Sequence, residues 1–168
     1  MWLAGGSTTS LGHIGYSYDG ITWKEVESAR TIFTSDVTGI TWNGSLWVAV
    51  GNTTTGGIIA YSVNAIDWFP SSDYSIFDSC SAVTASDKLF VCGGNVVGYT
   101  SNVSSTWEIS SSGSAIFTIC TCLAWNGTTW LAGGVNNTSV AIAYSSDGKI
   151  WTESTSGSNL FTPNPTSF

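Results

Sequence analysis

Short apolar runs punctuated by Gly, Ser, Thr and Asn fill the chain from end to end. No stretch sustains a helical period, and none approaches the ~18 uninterrupted apolar residues of a membrane span. The pattern predicts strands and turns, an all-β protein. The runs also recur. Trp2-Leu3-Ala4-Gly5-Gly6 returns as Trp47-Val48-Ala49-Val50-Gly51, Phe90-Val91-Cys92-Gly93-Gly94 and Trp130-Leu131-Ala132-Gly133-Gly134, at spacings of 45, 43 and 40 residues. In step with it run Ile14-Gly15-Tyr16-Ser17, Ile59-Ala60-Tyr61-Ser62, Val97-Gly98-Tyr99-Thr100 and Ile142-Ala143-Tyr144-Ser145, each followed by a tryptophan: Trp23, Trp68, Trp107 and Trp151. A third element, Ile40-Thr41-Trp42-Asn43-Gly44, precedes the first and reappears at Val83–Asp87 and Leu123–Gly127.

Several short strands at a period of 40–45 residues are the spacing of β-propeller blades. In the second unit strand A falls over 37–42, strand B over 46–50 and strand C over 58–62, with strand D starting near Asp67-Trp68. Asn43-Gly44, and likewise Asn126-Gly127, predicts a type I′ hairpin turn with both residues at positive φ. Strand B is apolar on both faces, which suits a strand sandwiched between neighbouring sheets. A two-sheet sandwich would not require four near-identical units. The units run approximately over 1–36, 37–79, 80–119 and 120–162 of a single domain, and 163–168 is a possible closing strand. The first unit opens in strand B. Leu160-Phe161-Thr162 matches Ile32-Phe33-Thr34, placing Pro165 to Phe168 where Val37 to Ile40 lie. The four four-stranded units therefore predict either a closed four-bladed ring or part of a larger one.

The C–D connections carry a resemblance. Ser17-Tyr18-Asp19-Gly20-Ile21-Thr22-Trp23 and Ser145-Ser146-Asp147-Gly148-Lys149-Ile150-Trp151 resemble the Asp-box, or BNR repeat, of sialidase-like propellers, whose pattern is Ser-x-Asp-x-Gly-x-Thr-Trp. One residue is missing here between Asp and Gly. Thr100 to Trp107 keeps the family spacing with Asn102 for Asp and Ser104 for Gly, and Ser62 to Trp68, with Asn64, is the most degenerate. The resemblance covers essentially the whole chain and implies that Asp19, Gly20, Asn64, Asn102, Asp147 and Gly148 are structural turn residues. In such a turn the Asx side chain accepts backbone N–H bonds, Gly supplies positive φ and the Trp packs beneath. Similar degenerate repeats occur in phage and large-virus structural proteins and in bacterial surface proteins. The tryptophans of the repeat, Trp2, Trp23, Trp47, Trp68, Trp107, Trp130 and Trp151, are expected core aromatics.

Composition narrows the partners. Only 9% of residues are charged and the net charge is −7, with four cations, Lys24, Arg30, Lys88 and Lys149. Nucleic acid and anionic membrane surfaces both need clustered cations, so four scattered ones cannot serve the first and argue against the second. The opening residues lack the basic region and apolar run of a signal peptide. Six Asn-x-Ser/Thr sequons, at Asn43, Asn52, Asn102, Asn126, Asn136 and Asn137, say little about secretion in so Asn- and Ser-rich a chain.

Catalysis finds few residues. The sialidase chemistry that the resemblance would imply needs an arginine cluster, and Arg30 is alone. A glycosidase needs two carboxylates flanking a cleft. Glu25, Glu108 and Glu153 follow box tryptophans as solvated strand D positions, whereas Asp36, Asp73, Asp78 and Asp87 fall in expected turns. His13, the single histidine, lies in a Gly/Ser/Thr-rich loop with no acid or Cys nearby in sequence, so it is expected to be exposed. Cys120-Thr121-Cys122 is not a zinc spacing, and no metal or cofactor is expected. Cys80 and Cys120 share the strand A position of Val37 and are expected to be buried. Pairing Cys92 opposite Ser81 puts Cys92 on the other face from Cys80, so four unpaired thiols are expected.

Propeller geometry puts the B–C and D–A loops on one face. The B–C loops, Gly5–His13, Gly51–Gly57, Gly93–Val96 and Gly133–Val140, are uncharged and rich in hydroxyl and amide groups. They suit a sugar or a protein backbone, not a phosphate. The expectation is a non-catalytic binding or adhesion scaffold for a glycan or protein surface, on an extracellular surface or virion. The alternatives are a structural subunit assembling with further copies or domains, and a glycoside hydrolase.

Overall fold

The computed structural model describes residues 1–8, 11–137 and 139–161. Among them lie four consecutive antiparallel sheets, the blades. Blade 1 holds β1 (Trp2–Ser7), β2 (Gly12–Ser17) and β3 (Lys24–Glu25). Blade 2 holds β4 (Asp36–Trp42), β5 (Trp47–Thr53), β6 (Gly56–Ser62) and β7 (Phe69–Pro70). Blade 3 holds β8 (Cys80–Ala85), β9 (Phe90–Gly94), β10 (Val97–Thr100) and β11 (Glu108–Ile109). Blade 4 holds β12 (Ile119–Trp125), β13 (Trp130–Val135), β14 (Val140–Ser145) and β15 (Thr152–Glu153). Strands pair in chain order, and β1, β4, β8 and β12 pack one on the next. Blade 1 is three-stranded among the described residues, and the expected closing strand 163–168 lies outside them.

Strands B and C run further than the sequence pattern indicated, so the blade 2 hairpin tip is only Thr54-Thr55. Asp36, expected in a turn, begins β4, where its Oδ1 accepts from the Asn52 backbone N and Nδ2, each at 2.9 Å. The A–B hairpins are not type I′. Gly44 and Gly127 have φ of +102° and +99°, but the only non-glycine at positive φ among the described residues is Ala65. Asn43 instead folds its own side chain into a four-residue loop, its Oδ1 accepting from Ser45 N at 3.0 Å and Leu46 N at 2.8 Å. Asn126 does the same for Thr128 and Thr129. Such an Asx turn satisfies the amides without left-handed asparagine backbone.

Each complete blade carries a β-bulge at one repeat position: Thr38, Ser81 and Thr121 are the extra residues between Val37/Gly39, Cys80/Ala82 and Cys120/Cys122. The bulge explains the glycine that ends the strand B motif. A Cβ on Gly51, Gly94 or Gly134 would run into the backbone carbonyl of Asp36, Ser79 or Ile119, where strand A closes over strand B. At Gly6, in the blade without a described strand A, a Cβ would meet nothing.

The core is three clusters, one between each pair of blades. Trp68 lies in the first with Leu3, Ile14 and Tyr16; Trp107 in the second with Val48, Val50 and Ile59; Trp130 and Trp151 in the third with Val91, Val97 and Tyr99. In blades 2, 3 and 4 the tryptophan that follows the C–D turn thus enters the face of the blade before it. Trp68, Trp107 and Trp151 are 4%, 2% and 3% exposed. Truncating an indole buried in this way costs roughly 3–5 kcal/mol. Trp2 and Trp23, expected in the core, are 63% and 46% exposed, because no described blade stands in front of them.

The C–D turns hold themselves together from within. In blade 1 the Asp19 Oδ1 accepts from Ser17 Oγ, Ile21 N and Thr22 N at 2.7–2.9 Å, while Ser17 Oγ accepts from Gly20 N. Asp147 repeats the set with Ser145, Gly148, Lys149 and Ile150. Asn64 repeats it too, with Ser62, Ala65, Ile66 and Asp67, so the turn that looked most degenerate keeps the same geometry. Ala65 takes the glycine position there, at φ +66°. Asn102 makes a shorter version, accepting from Ser104 N and Oγ.

The D–A connections contain short helices that no hydrophobic period announces: a 3₁₀ turn (Glu27–Ala29), α1 (Ser111–Ile116) and α2 (Thr155–Leu160). Ser110 and Ser154 cap α1 and α2, accepting from Gly113 N and Gly157 N. The same connections reach the next blade's C–D turn. Ser28 Oγ donates to the Ile66 carbonyl at 2.6 Å and accepts from Trp68 N at 3.1 Å. Ser71 Oγ donates to the Val103 carbonyl at 2.7 Å. Ser110 Oγ donates to the Lys149 carbonyl at 2.5 Å, and Ser112 Oγ accepts from Trp151 N at 2.9 Å.

Two expectations follow from the turns. Ala65→Gly relieves a left-handed alanine and should raise stability by about 0.5–1 kcal/mol in denaturant melts; a loss would show that the Ala65 methyl contributes more by packing than its φ costs. The amides of Thr22 and Ile21 and the Ser17 hydroxyl hold the Asp19 carboxyl well below its ordinary range. Burial works against ionised Asp147, but the Ile150 and Lys149 amides and the Ser145 hydroxyl outweigh it and lower that carboxyl as well. A depressed folded pKa contributes stability above the unfolded value of about 3.9 that is lost as pH falls through the folded value. Between about pH 5 and pH 2 the wild type should lose more melting temperature than the Asp19→Asn/Asp147→Asn double variant, whose amides accept the same bonds without titrating. Equal acid slopes would remove the two turns from the acid response.

Candidate ligand-binding cleft

Three connections converge on a cleft of about 790 Å³ beside blade 2. The blade 1 to blade 2 connection brings Ser28, Thr31, Ile32 and Thr34; the β5–β6 hairpin brings Thr53 to Ile58; β7 brings Pro70 and the blade 2 to blade 3 connection Tyr74, Ser75, Phe77 and Asp78, with Trp68 beside them. One B–C loop and two D–A connections therefore share a face, as the repeat geometry implied. Sequence reading picked out the B–C loops and missed the D–A lining. The available signal was aromatic residues set among hydroxyls, as in Thr31-Ile32-Phe33-Thr34 and Tyr74-Ser75-Ile76-Phe77.

The walls are neutral and hydroxylated. Thr53 Oγ1 donates to the Gly56 carbonyl at 3.0 Å and stands 3.2 Å from Thr55 Oγ1, which fixes the hairpin tip. Ser75 Oγ donates to Asp73 Oδ1 at 2.9 Å. Asp78 is the lining's carboxylate, and its Oδ2 accepts from Asn95 Nδ2 at 3.2 Å. No Lys, Arg or His lines the cleft. It can offer hydrogen bonds and aromatic faces to an uncharged polar ligand, but it has neither a cation for a phosphate nor the second carboxylate that glycosidic hydrolysis requires.

His13 corrects the sequence reading. It lies in β2, not in a loop, half buried, and strand pairing brings Glu25 to it across twelve residues. Its Nδ1 is 2.5 Å from Glu25 Oε1 and its Nε2 is 3.3 Å from Thr8 Oγ1. Arg30 Nε approaches the same Glu25 oxygen at 3.5 Å and Arg30 Nη1 is 3.7 Å from Glu27. Hydroxyl, imidazole and carboxylate follow the order of a nucleophile chain, but they line no part of the cleft, and Arg30 shares the carboxylate. Glu108 is exposed and accepts from the Tyr99 hydroxyl at 2.9 Å, which raises the tyrosine's pKa; Glu153 is exposed on β15. Among the described residues no group of three His, Cys, Asp or Glu could hold a metal ion, and no helix is long and apolar enough to cross a membrane.

The cysteines are free. Cys80 and Cys120 are buried at the Val37 position, as expected. Cys92, however, shares a cluster with Cys80. It pairs with Val83, not Ser81, and the bulge at Ser81 shifts parity by one, turning Cys80 to the same face. Burial pushes the Cys120 thiol up to about 12 and Cys92 well above its usual value. These are inert thiols.

No family model and no curated protein matches the chain. Solved structures do. A GH74 enzyme from Niastella koreensis aligns with a TM-score of 0.56 at 11% identity, over 92% of this chain and 23% of that one. The computationally designed Ika8 protein aligns with a TM-score of 0.50 at 14% identity, over 88% of this chain and 46% of that one. The fold is a β-propeller. The chain spans about a quarter of the first structure's length and just under half of the second's.

Thiol titration under denaturing, non-reducing conditions should count four. In the native protein Cys122, which is exposed, should react rapidly and the other three slowly. A count of two would mean that one pair has been oxidised, and peptide mapping would then tell whether it is Cys80 with Cys92, which share a cluster.

Proposed function

We propose that the chain is a non-catalytic propeller binding module that receives a neutral glycan in the cleft beside blade 2, in an extracellular or virion-surface setting. One observation carries the reading: a cavity of about 790 Å³ walled by threonine and serine hydroxyls with Tyr74 and Trp68, free of cations and holding a single carboxylate. Sugars present hydroxyls in a ring with an apolar face, and hydroxyl walls beside an aromatic side chain match both. We read the turns around Asp19, Asn64, Asn102 and Asp147 as degenerate Asp-boxes, structural parts that leave the cleft free for binding. The likeness to a glycoside hydrolase is a likeness of fold at 11% identity. The lone Asp78 gives a hydrolytic reading no second carboxylate in the cleft.

An array of neutral oligosaccharides, followed by calorimetry on the best ligand, tests the proposal. Tyr74→Ala should weaken binding about tenfold, on the order of 1.4 kcal/mol. Asp78→Asn should change affinity by less than about threefold, since no ionic contact is involved. Absence of saturable binding, or a preference for acidic sugars, would overturn the reading. Release of reducing ends that Asp78→Asn abolishes would make the protein a hydrolase.

A further inference from the structure

The two end faces of the arc are the two halves of an interface that the protein already builds three times. Each internal interface sets a strand B aromatic and a box tryptophan of one blade against an aliphatic residue and a tyrosine of the blade before. Between blades 3 and 4 these are Trp130 and Trp151 against Val91 and Tyr99. On the front of blade 1 the corresponding aromatics are Trp2 and Trp23, 63% and 46% exposed. On the back of blade 4 the corresponding partners are Leu131 and Tyr144, each 46% exposed. Large apolar groups at matched repeat positions are thus open at both ends, and the exposure of all four shows that these faces do not cover one another within one chain.

The serine clasp is open in the same register. Ser71 and Ser110, three residues after their box tryptophans, donate to the next blade's turn. Ser154 holds that position in blade 4, and it caps its helix as Ser110 does. Ser156 holds the position of Ser28 and Ser112, whose oxygens accept the next box tryptophan's N–H. The turn they would meet at the front of blade 1 is Ile21 to Trp23, and Ile21 is 85% exposed.

We propose that a second copy of this chain covers these faces: the back of blade 4 in each copy seats the front of blade 1 in the other, closing two four-bladed arcs into one eight-bladed ring. The contact is heterologous, and two such contacts related by a two-fold axis close a ring without leaving an end. A second copy supplies both missing halves at once, with the residues that the internal interfaces use. His13, held by Thr8 and Glu25, then lies at the joint, at the repeat position that Ile58 and Ala141 fill inside the arc. The inference is independent of the glycan reading, because the cleft beside blade 2 involves neither end face.

Sedimentation velocity on the purified 168-residue chain at about 10 μM, a concentration suited to an interface of ordinary size, should give twice the 17.6 kDa chain mass. Trp23→Arg destroys every front and Leu131→Arg every back, so each variant alone should sediment as one chain. Mixed in equal amounts they should recover a two-chain species, since one variant keeps an intact back and the other an intact front. Far-UV circular dichroism and a cooperative melt confirm that each variant is folded; should Trp23→Arg fail, Ile21→Arg takes its place. A single-chain wild type, two-chain single variants, or a mixture that stays single-chain would overturn the proposal.

Discussion

Each blade is fastened to the one before it by one device, and the arc exists because that device repeats. The tryptophan after a C–D turn enters the apolar back of the preceding blade, and a serine from that blade's D–A connection closes over the turn that carries the tryptophan. Trp68 with Ser28, Trp107 with Ser71 and Trp151 with Ser110 and Ser112 are three instances. The indole supplies buried area and the hydroxyl supplies direction. Apolar burial alone is not directional, and a flat sheet could slide on its neighbour without a polar latch to fix the register.

That device relies on turns rigid enough to aim an indole. The Asx side chain at the centre of each turn takes amides that would otherwise face solvent at random, and a left-handed residue reverses the chain. Ala65 shows how firmly the geometry is imposed: its neighbours Ser62 and Asn64 make every bond made by Ser17 and Asp19, and hold an alanine where glycine is the easy choice. A strained position of this kind survives only where the surroundings over-determine it.

Much of the fold was legible because the repeats align by eye. Trp-x-Ala-x-Gly, Tyr-Ser and the tryptophan that follows place strands B and C and the turn after them, and the structure puts each there. What stayed hidden was set by geometry that one strand's letters do not encode. The bulges at Thr38, Ser81 and Thr121 have no composition signal beyond a shared hydroxyl, yet Ser81 reverses the facing of Cys80 and so the relation of two thiols. Glu25 is distant from His13 until β2 and β3 pair. The short helices α1 and α2 have no apolar period and are announced only by Ser-x-x-Gly caps. The Gly51–Gly57 loop stood out in the sequence as one of four B–C loops, and the structure makes its hairpin one wall of the cleft. The rest of the cleft comes from connections whose hydroxyls look like ordinary loop composition until they fold beside Tyr74.

The serine clasp also bears on how such a chain can grow. It always joins the segment after one blade's last strand to the turn before the next blade's last strand, so both halves of every joint travel within a single repeat length. Duplicating or deleting one whole repeat of the gene leaves each surviving joint with both its halves, and no compensating change is needed elsewhere. An insertion that splits a repeat separates a serine from its turn and harms two joints. The number of blades is therefore a quantity that recombination can change in whole steps, while the sequence of the individual blade stays under constraint.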